Sequence, residues 1–230
     1  MMRLSAVLLF FGHAVAIGVL PAHGADNVPP AGFVALFNGK NLSGWKGLVK
    51  DPPTRAKMSD GELAEAQAKA DESMREHWKV VDGALVFDGK GQSLCTAKDY
   101  GDFELLCDWK ILKDGDSGIY LRGTPQVQIW DPSLPVAKGV GSGGLYNNQK
   151  HPSTPTSTAD KPVEQWNTFR IKVVGDKVSV SLNDKLVVDN VVLENYWERD
   201  KPLYPTGQIE LQNHGNTLYF KNIYVKDLSQ

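Results

Sequence analysis

Hydrophobic and polar residues alternate with a period of two along most of the chain after residue 77. Such alternation is typical of strands that bury one face. Turn-forming pairs such as Asp82-Gly83 and Asn183-Asp184 separate the segments. Strands are predicted over residues 33–37, 78–87 (a hairpin), 103–111, 117–123, 126–130, 166–175, 177–182, 186–193, 207–213 and 217–225. Many short strands with frequent turns predict an all-β fold, a sandwich or jelly roll of two antiparallel sheets.

Residues 59–77 follow a helical pattern instead. Ser59 and Glu62 have the spacing of a capping box, which marks the start of a helix. Apolar residues then recur on one helical face: Leu63, Ala66, Ala70 and Met74. We predict one inserted amphipathic helix that packs on the sandwich, after a chain break at Asp51-Pro52-Pro53.

The first 24 residues are typical of a signal peptide. Arg3 supplies the positive charge, residues 4–20 are mostly apolar, and small residues precede Ala25. We predict cleavage after Gly24 and a periplasmic or extracellular protein. The alternative is an uncleaved anchor, which is less favoured because the apolar run is marginal for a membrane span.

Export would leave residues 25–32 as a lead-in and residues 33–227 as one domain, with no integral membrane span in the mature chain. The formal net charge is −2 and no basic tract is present, which argues against nucleic acid as a partner. Cys95 and Cys107 flank a turn at Gly101. They form either a cross-strand disulfide or two buried thiols, and their spacing does not indicate zinc.

Polar side chains share one face of several predicted strands. They are Tyr120 and Arg122 in one strand, Gln126, Gln128 and Trp130 in the next, Glu210, Gln212 and His214 near the C-terminus, and Lys110 in the strand at 103–111. If the apolar faces meet between the sheets, these polar faces converge on one cleft. Amides, charges and aromatic rings suit a sugar. The long segment 131–165 is expected to supply a mobile flap over this cleft, carrying Tyr146.

Six segments together resemble one known family, the 3-keto-disaccharide hydrolase domain family. They are FVALFNGKNLSGW (33–45), HWKVVDGALVF (77–87), YGDFELLCDWKILKDGDSGIYLRG (100–123), PQVQIWD (125–131), WNTFRIKVVGDKVSVSLNDKLVVD (166–189) and GQIELQNHGNTLYFKNIYV (207–225). The resemblance implies a concanavalin A-like jelly roll and an exported protein that cleaves glycosides already oxidised to a ketone at C3. Many relatives carry an acid where this chain has Gln126 and an arginine where it has Lys221, and residues 50–77, which contain the helix, are an insertion relative to shorter members.

The chemistry expected of this family differs from that of an ordinary glycosidase. The ordinary enzyme needs two carboxylates, roughly 5–9.5 Å apart. Glucanases of this fold carry several acids on one central strand, and the corresponding strand here, QVQIWD, presents amides to the cleft. A ketone at C3 instead acidifies the hydrogen on C2. A base removes it, the substituent on C1 leaves, and water adds to the enone.

We therefore assign roles to the polar residues. His214 is the favoured base because its pKa suits the task, and Glu210 is the second candidate. Arg122 and Lys110 would stabilise the enolate. The substrate, an oxidised mono- or disaccharide glycoside, would be bound by Tyr120, Gln126, Gln128, Trp130, Tyr146 and Gln212.

Three alternatives stay open. His214 precedes Gly215 and could be a structural turn residue, and the protein could be a non-catalytic carbohydrate-binding module or an interaction domain in a surface assembly. The binding module is favoured if His214, Arg122 and Lys110 lie on different faces. No cofactor is assigned, and a divalent metal is left open. Asp114 and Asp116 resemble a weak calcium loop, for which a solvated turn is preferred.

Overall fold

The computed structural model describes residues 26–229, in which strands are the main regular secondary structure. In chain order the elements are β1 (Val34–Ala35), β2 (Trp45–Gly47), α1 (Pro52–Arg55), α2 (Asp60–His77), β3 (Trp78–Val81), β4 (Ala84–Phe87), β5 (Leu94–Thr96), β6 (Phe103–Ile111), β7 (Asp116–Leu121), β8 (Thr124–Trp130), β9 (Asn167–Val174), β10 (Lys177–Leu182), β11 (Lys185–Val192), β12 (Glu210–Leu211) and β13 (Leu218–Asp227).

The strands form two antiparallel sheets. The larger sheet has eight strands in the order β11-β10-β9-β6-β13-β4-β3, with β1 paired to β13. The smaller sheet has five, in the order β2-β5-β12-β7-β8. Strands that are distant in the chain therefore lie side by side, as the jelly-roll prediction requires. The all-β fold class and its two antiparallel sheets are confirmed.

The hydrophobic core fills the space between the sheets. Alternate residues of β6 point into it, among them Leu105 and Trp109, and the smaller sheet contributes Ile119, Val127 and Leu211. Each large apolar side chain that is fully buried stabilises the fold by about 1.5–3 kcal/mol. The residues between them must point outward. This rule decides which polar side chains reach the outer face of each sheet.

The inserted helix α2 forms as predicted. Ser59 caps it in a complete capping box with Glu62, and Ala70 and Met74 are its buried residues. The helix lies on β2, where Gln67 Nε2 donates to the carbonyl of Gly47 at 2.9 Å. The amide of Gly47 in turn donates to Asp71 Oδ1 at 2.9 Å. One edge of the smaller sheet is thus covered by the insertion.

Four short elements differ from the prediction. The expected break at 51–53 is the start of α1, because Asp51 Oδ1 accepts from the amide of Thr54 and the prolines occupy positions that need no donor. Strands β2 and β5 have only three residues each, too few to show a period in the sequence. The strand expected over 207–213 pairs regularly only at Glu210–Leu211.

The two cysteines lie in different sheets. Cys95 is on β5 of the smaller sheet and Cys107 on β6 of the larger sheet, so the expected hairpin around Gly101 is wrong: the chain crosses between sheets there. Both thiols are free and buried, which confirms the second alternative. Burial raises the pKa of the Cys95 thiol to about 12, so it stays protonated and unreactive at neutral pH.

The predicted signal peptide, residues 1–24, lies outside the described residues. Cleavage after Gly24 stays a prediction, which the N-terminal residue of the mature protein would test. Within residues 26–229, no helix is both long and apolar enough to cross a membrane.

The packing of α2 on β2 depends on Gly47. A Cβ at this position would lie 2.1 Å from the backbone oxygen of Ala70, so Gly47→Ala must push the helix away. We expect a loss of about 1–3 kcal/mol in the free energy of unfolding, measured by urea denaturation. Gly61→Ala in the same helix is the control, because nothing lies within 4 Å of its added Cβ. Equal stability of the two variants would contradict this packing.

Candidate functional site

The middle strand of the smaller sheet is β12, which carries Glu210. Its neighbours on either side place Tyr120 and Cys95 directly opposite Glu210. Tyr120 is in turn opposite Gln126, and Cys95 is opposite Lys46. One row of side chains therefore crosses the outer face of the sheet, with an acid at its centre. The expectation that QVQIWD is the central strand is wrong, because β8 is the outermost strand of this sheet.

A cavity of about 340 Å³ opens on the β7–β8 side of this row. Seven predicted site residues line it: Tyr120, Gln126, Gln128, Trp130, Tyr146, Gln212 and His214. The other lining residues are Asp116, Val136, Asn147 and Tyr196. Most of these four lie in loops, which have no period that a sequence pattern could use. The structure thus brings most of the predicted binding residues to one place.

A chain of hydrogen bonds fixes the orientation of the two glutamines on the cavity floor. Asp116 accepts from Gln128 Nε2 at 2.7 Å, and the backbone carbonyl of Ser117 accepts from the same nitrogen at 3.0 Å. Because these partners can only accept, the oxygen of Gln128 must face Gln126, whose Nε2 donates to it at 2.6 Å. The Nε2 of Gln126 therefore faces Gln128, and the Oε1 of Gln126 points away from Gln128.

Three buried amide oxygens around this cavity have no hydrogen-bond partner among the described residues. They belong to Gln126, Gln212 and Asn147. A buried acceptor that stays unpaired costs about 1–3 kcal/mol, so a ligand rich in hydroxyl donors fits this surface. The glutamines predicted as binding residues have the chemistry for that task.

An aromatic pair forms one wall. Trp130 Nε1 donates to the carbonyl of Gly141 at 2.6 Å, and the ring of Tyr146 meets the indole edge-on, 5.6 Å between centroids. The segment that carries Tyr146 is hydrogen-bonded to β8, since the amide of Gly143 donates to Gln128 O and Gly144 O accepts from Gln128 N. The expected flap is thus tied to the edge of the sheet near the cavity, and about half of Tyr146 is exposed.

Glu210 lies beside the cavity, next to Tyr120 in the row. Its side chain is buried, and no hydrogen-bond donor reaches its carboxyl within residues 26–229. Burial raises the pKa of Glu210 from 4.5 to about 7, and the nearby Arg55 guanidinium only partly opposes this. A carboxyl that is half ionised at neutral pH can take up or give a proton there. This is the strongest acid–base candidate in the cleft.

His214 lies at the mouth of the cavity. Its side chain is 57% exposed, and its Nδ1 is 3.8 Å from Asp116 Oδ2, which is too long for a direct hydrogen bond. His214 and Glu210 are four residues apart, which in an extended chain separates them by roughly 13 Å. The two candidate bases therefore act at different ends of the site.

Arg122 does not reach the cavity. It occupies the tight turn between β7 and β8 with a φ of 56°, and its side chain is 3% exposed. The guanidinium pairs with Asp102 at 2.7 Å and donates to the backbone carbonyls of Gly101, Gly175 and Tyr204. Four of its five N–H donors are thus directed at these loops. Its expected place in the cleft is wrong, and its position supports a structural role.

Lys110 is also outside the cleft. It lies on the outer face of the larger sheet, with Nζ 4.3 Å from the ring centroid of Tyr219 and 5.3 Å from that of Trp166. The expectation failed because the polar face of β6 is the outer face of the larger sheet, whereas the cavity lies on the outer face of the smaller sheet. Lys221 is on the same outer face, paired with Asp26 at 2.7 Å. The departure from relatives at position 221 therefore does not alter the cleft.

No group of three or more metal-ligating side chains lies close together in the described part of the chain. Asp131 Oδ2 accepts from the amide of Asp114, and Asp116 accepts from Gln128. The KDGDSG segment is thus held by the backbone amide of Asp114 and by the carboxylate of Asp116. Arg55 is a residue that the sequence did not indicate, because it reaches the site from the insertion.

The chain is similar to known proteins in both sequence and fold. The sequence profile of the 3-keto-alpha-glucoside-1,2-lyase-like domain matches residues 32–226. The chain is 26% identical to the 3-keto-disaccharide hydrolase of Bacteroides thetaiotaomicron over 253 aligned positions, covering 86% of this chain and 79% of that protein.

Two solved structures of Parabacteroides distasonis proteins, determined as candidate glycosyl hydrolases, are also similar. One has a TM-score of 0.67 and 24% identity, covering 89% of this chain and 100% of that one. The other has a TM-score of 0.56 and 27% identity, covering 66% and 91%. The first likeness shows the fold, which matches the two-sheet architecture described above.

The raised pKa of Glu210 predicts a pH dependence of stability. The folded state binds the proton of the Glu210 carboxyl more tightly than the unfolded chain does. The contribution of this tighter binding to the free energy of unfolding is complete below pH 4.5 and is lost as the pH rises through about 7. Relative to Glu210→Gln, the wild-type free energy of unfolding should fall by about 3 kcal/mol over that window. Urea denaturation at several pH values measures this difference.

The control for this experiment is Glu76→Gln, an exposed carboxylate on α2. Its stability should follow that of the wild type at every pH. If the wild type and Glu210→Gln also keep a constant difference, the carboxyl of Glu210 titrates normally and the electrostatic account of the site is wrong.

Proposed function

Because the chain belongs to the 3-keto-alpha-glucoside-1,2-lyase-like family, we propose that it cleaves glycosides whose sugar carries a ketone at C3. One observation carries the proposal. A buried carboxyl with a pKa of about 7, Glu210, lies beside a cavity lined by amides and aromatic rings. The coarser conclusion, a carbohydrate-active protein of a hydrolase-like family, follows from the family match itself.

The arrangement of acids favours chemistry that starts at the ketone. Ordinary glycoside hydrolysis uses a pair of carboxyl groups on either side of the bond. Here Asp116 already accepts a hydrogen bond from Gln128, and Gln126 stands beside Tyr120 where an acid would supply the second carboxyl. Among the carboxyl groups of residues 26–229, Glu210 alone combines burial with a pKa near neutrality. A single base is sufficient when the substrate supplies its own electron sink.

The proposed reaction proceeds in two stages. Glu210 removes the proton from C2, and the electron pair of that C–H bond forms an enolate with the C3 ketone. The enolate then expels the oxygen substituent from C1, which takes up a proton as it leaves. Water adds to C1 of the resulting enone, and a proton returns to C2. The sum of these steps is hydrolysis of the glycosidic bond without a change in oxidation state.

Other residues of the cavity have matching roles. Burial raises the pKa of the Tyr120 hydroxyl, so it stays protonated and can donate to the developing enolate oxygen. The unpaired oxygens of Gln126 and Gln212 accept from sugar hydroxyls. Trp130 and Tyr146 offer rings to the C–H face of the sugar. In this proposal His214 closes the mouth of the cavity with Asp116.

A binding module is the second candidate. It is favoured by the wide separation of His214, Arg122 and Lys110, three residues that sequence reasoning had placed in one catalytic group. Such a module would bind sugars in the same cavity without turnover. Glu210 distinguishes the two hypotheses, because a module that only binds has no use for a carboxyl poised near neutral pH.

We predict that Glu210→Gln lowers kcat/KM for 3-keto-trehalose by about 10²- to 10⁴-fold, the usual contribution of a general base. The wild-type kcat/KM should rise with pH through about 7, since only the ionised carboxyl is a base. Release of glucose measures the rate. His214→Ala should have the smaller effect, and Glu76→Gln should match the wild type.

Full activity of Glu210→Gln together with inactive His214→Ala would transfer the role of base to His214. Absence of turnover by the wild type on several 3-keto-glycosides, combined with saturable sugar binding in calorimetry, would support the binding module instead.

A further inference from the structure

A second depression lies on the other side of Glu210, between the inserted helices and the smaller sheet. It consists of two adjoining cavities of about 360 and 740 Å³. Both are lined by Arg55 and Ala56 of the insertion, by Asp99, and by Gln208. The family resemblance does not account for it, since its outer wall belongs to the insertion.

Gln208 gives this depression its chemical character. Its side chain is 6% exposed and lines both cavities, yet its Oε1 has no hydrogen-bond partner within the described range 26–229. Ile209 and Leu211 are core residues, so Gln208 and Glu210 share the outer face. A buried and unpaired acceptor in the wall of a cavity favours a ligand that donates a hydrogen bond.

The charges around the depression favour a neutral ligand. Three cations, Lys46, Arg55 and Arg122, are balanced by three acids, Asp60, Asp99 and Glu198. An anion would meet the acids, and a cation would meet the bases. The remaining lining of the larger cavity includes small apolar side chains: Ala56, Leu63, Ala64 and Ala97. A neutral, hydroxylated ring satisfies both the polar and the apolar parts of this surface.

The two depressions are arranged along one line. Gln208, Glu210 and Gln212 alternate on the same face, and Gln208 and Gln212 are roughly 13 Å apart in an extended chain. Two linked pyranose rings fill such a span, with the oxygen between them near the middle. Glu210 stands at that middle position.

The turn beside Glu210 packs closely against α1. Gly123 has a φ of +70°, and a Cβ there would lie 3.2 Å from Pro52 Cγ, 3.5 Å from Glu210 Oε1 and 3.6 Å from Arg55 Nη2. A side chain at this position would therefore press on α1 and on the carboxyl. The glycine lets the insertion approach Glu210.

We propose that the second depression holds the leaving group of the cleaved glycoside, and that this group is a neutral, polyhydroxylated ring. The insertion that carries α1 builds this subsite, with Gln208 as its hydrogen-bond acceptor. The inference rests on the proposed function, because it places the glycosidic oxygen near Glu210.

Gln208→Ala tests the subsite with two substrates. For 3-keto-trehalose, whose leaving group is glucose, kcat/KM should fall roughly 3- to 10-fold, as expected for one lost hydrogen bond. For methyl 3-keto-α-glucoside, whose leaving group is methanol, the value should change by less than about 2-fold. Gln212→Ala should lower both values, and the exposed Gln165→Ala should change neither. Gln208→Leu, which keeps the side-chain bulk, controls for folding.

Equal effects of Gln208→Ala on the two substrates, or none on either, would overturn the proposal. Binding of free glucose, followed by NMR titration, provides a readout that does not need turnover. Weaker glucose binding by Gln208→Ala supports the subsite, and unchanged binding contradicts it. A wild type that binds glucose through Gln208 but cleaves neither substrate would refute the proposed function alone.

Discussion

The alternation of β12 is the constraint on which the site depends. Ile209 and Leu211 belong to the core between the sheets, so the backbone must present Gln208, Glu210 and Gln212 on the opposite face. Because β12 is the middle strand of the smaller sheet, its outward side chains are flanked by other strands on both sides. A carboxyl in that position is removed from water by its neighbours, which favours its protonated form.

The insertion partly opposes this effect through Arg55 and forms a second side of the site. Helix α2 packs on β2 through Gly47, and α1 brings Arg55 near Glu210. The guanidinium lowers the pKa of Glu210, but less than burial raises it, so the pKa of the carboxyl is about 7. Arg122 contributes from outside the cavity by tying the β7–β8 turn to three loops. The geometry of the floor therefore depends on packing that is remote from the substrate.

Sequence patterns predicted the fold well where the periodic segments were long. The hairpin at Asp82-Gly83, the strand at 103–111 and the capped helix all formed as expected. Alternation also predicted which side chains of β7 and β8 share a face. It could not predict which sheet a strand joins, and that is why Lys110 was placed on the wrong side of the molecule. Nor could it show that Arg122 lies in a turn, or that Arg55 reaches the site from an insertion.

The central claim is that cleavage begins with removal of the hydrogen on C2. Solvent deuterium is the most direct probe, since addition of water to the enone requires a new proton on C2. Turnover of 3-keto-trehalose in heavy water should yield a released 3-keto sugar with deuterium at C2, seen by NMR above the exchange found without protein. A product that keeps its original hydrogen at C2 would contradict the claim and indicate direct displacement at C1.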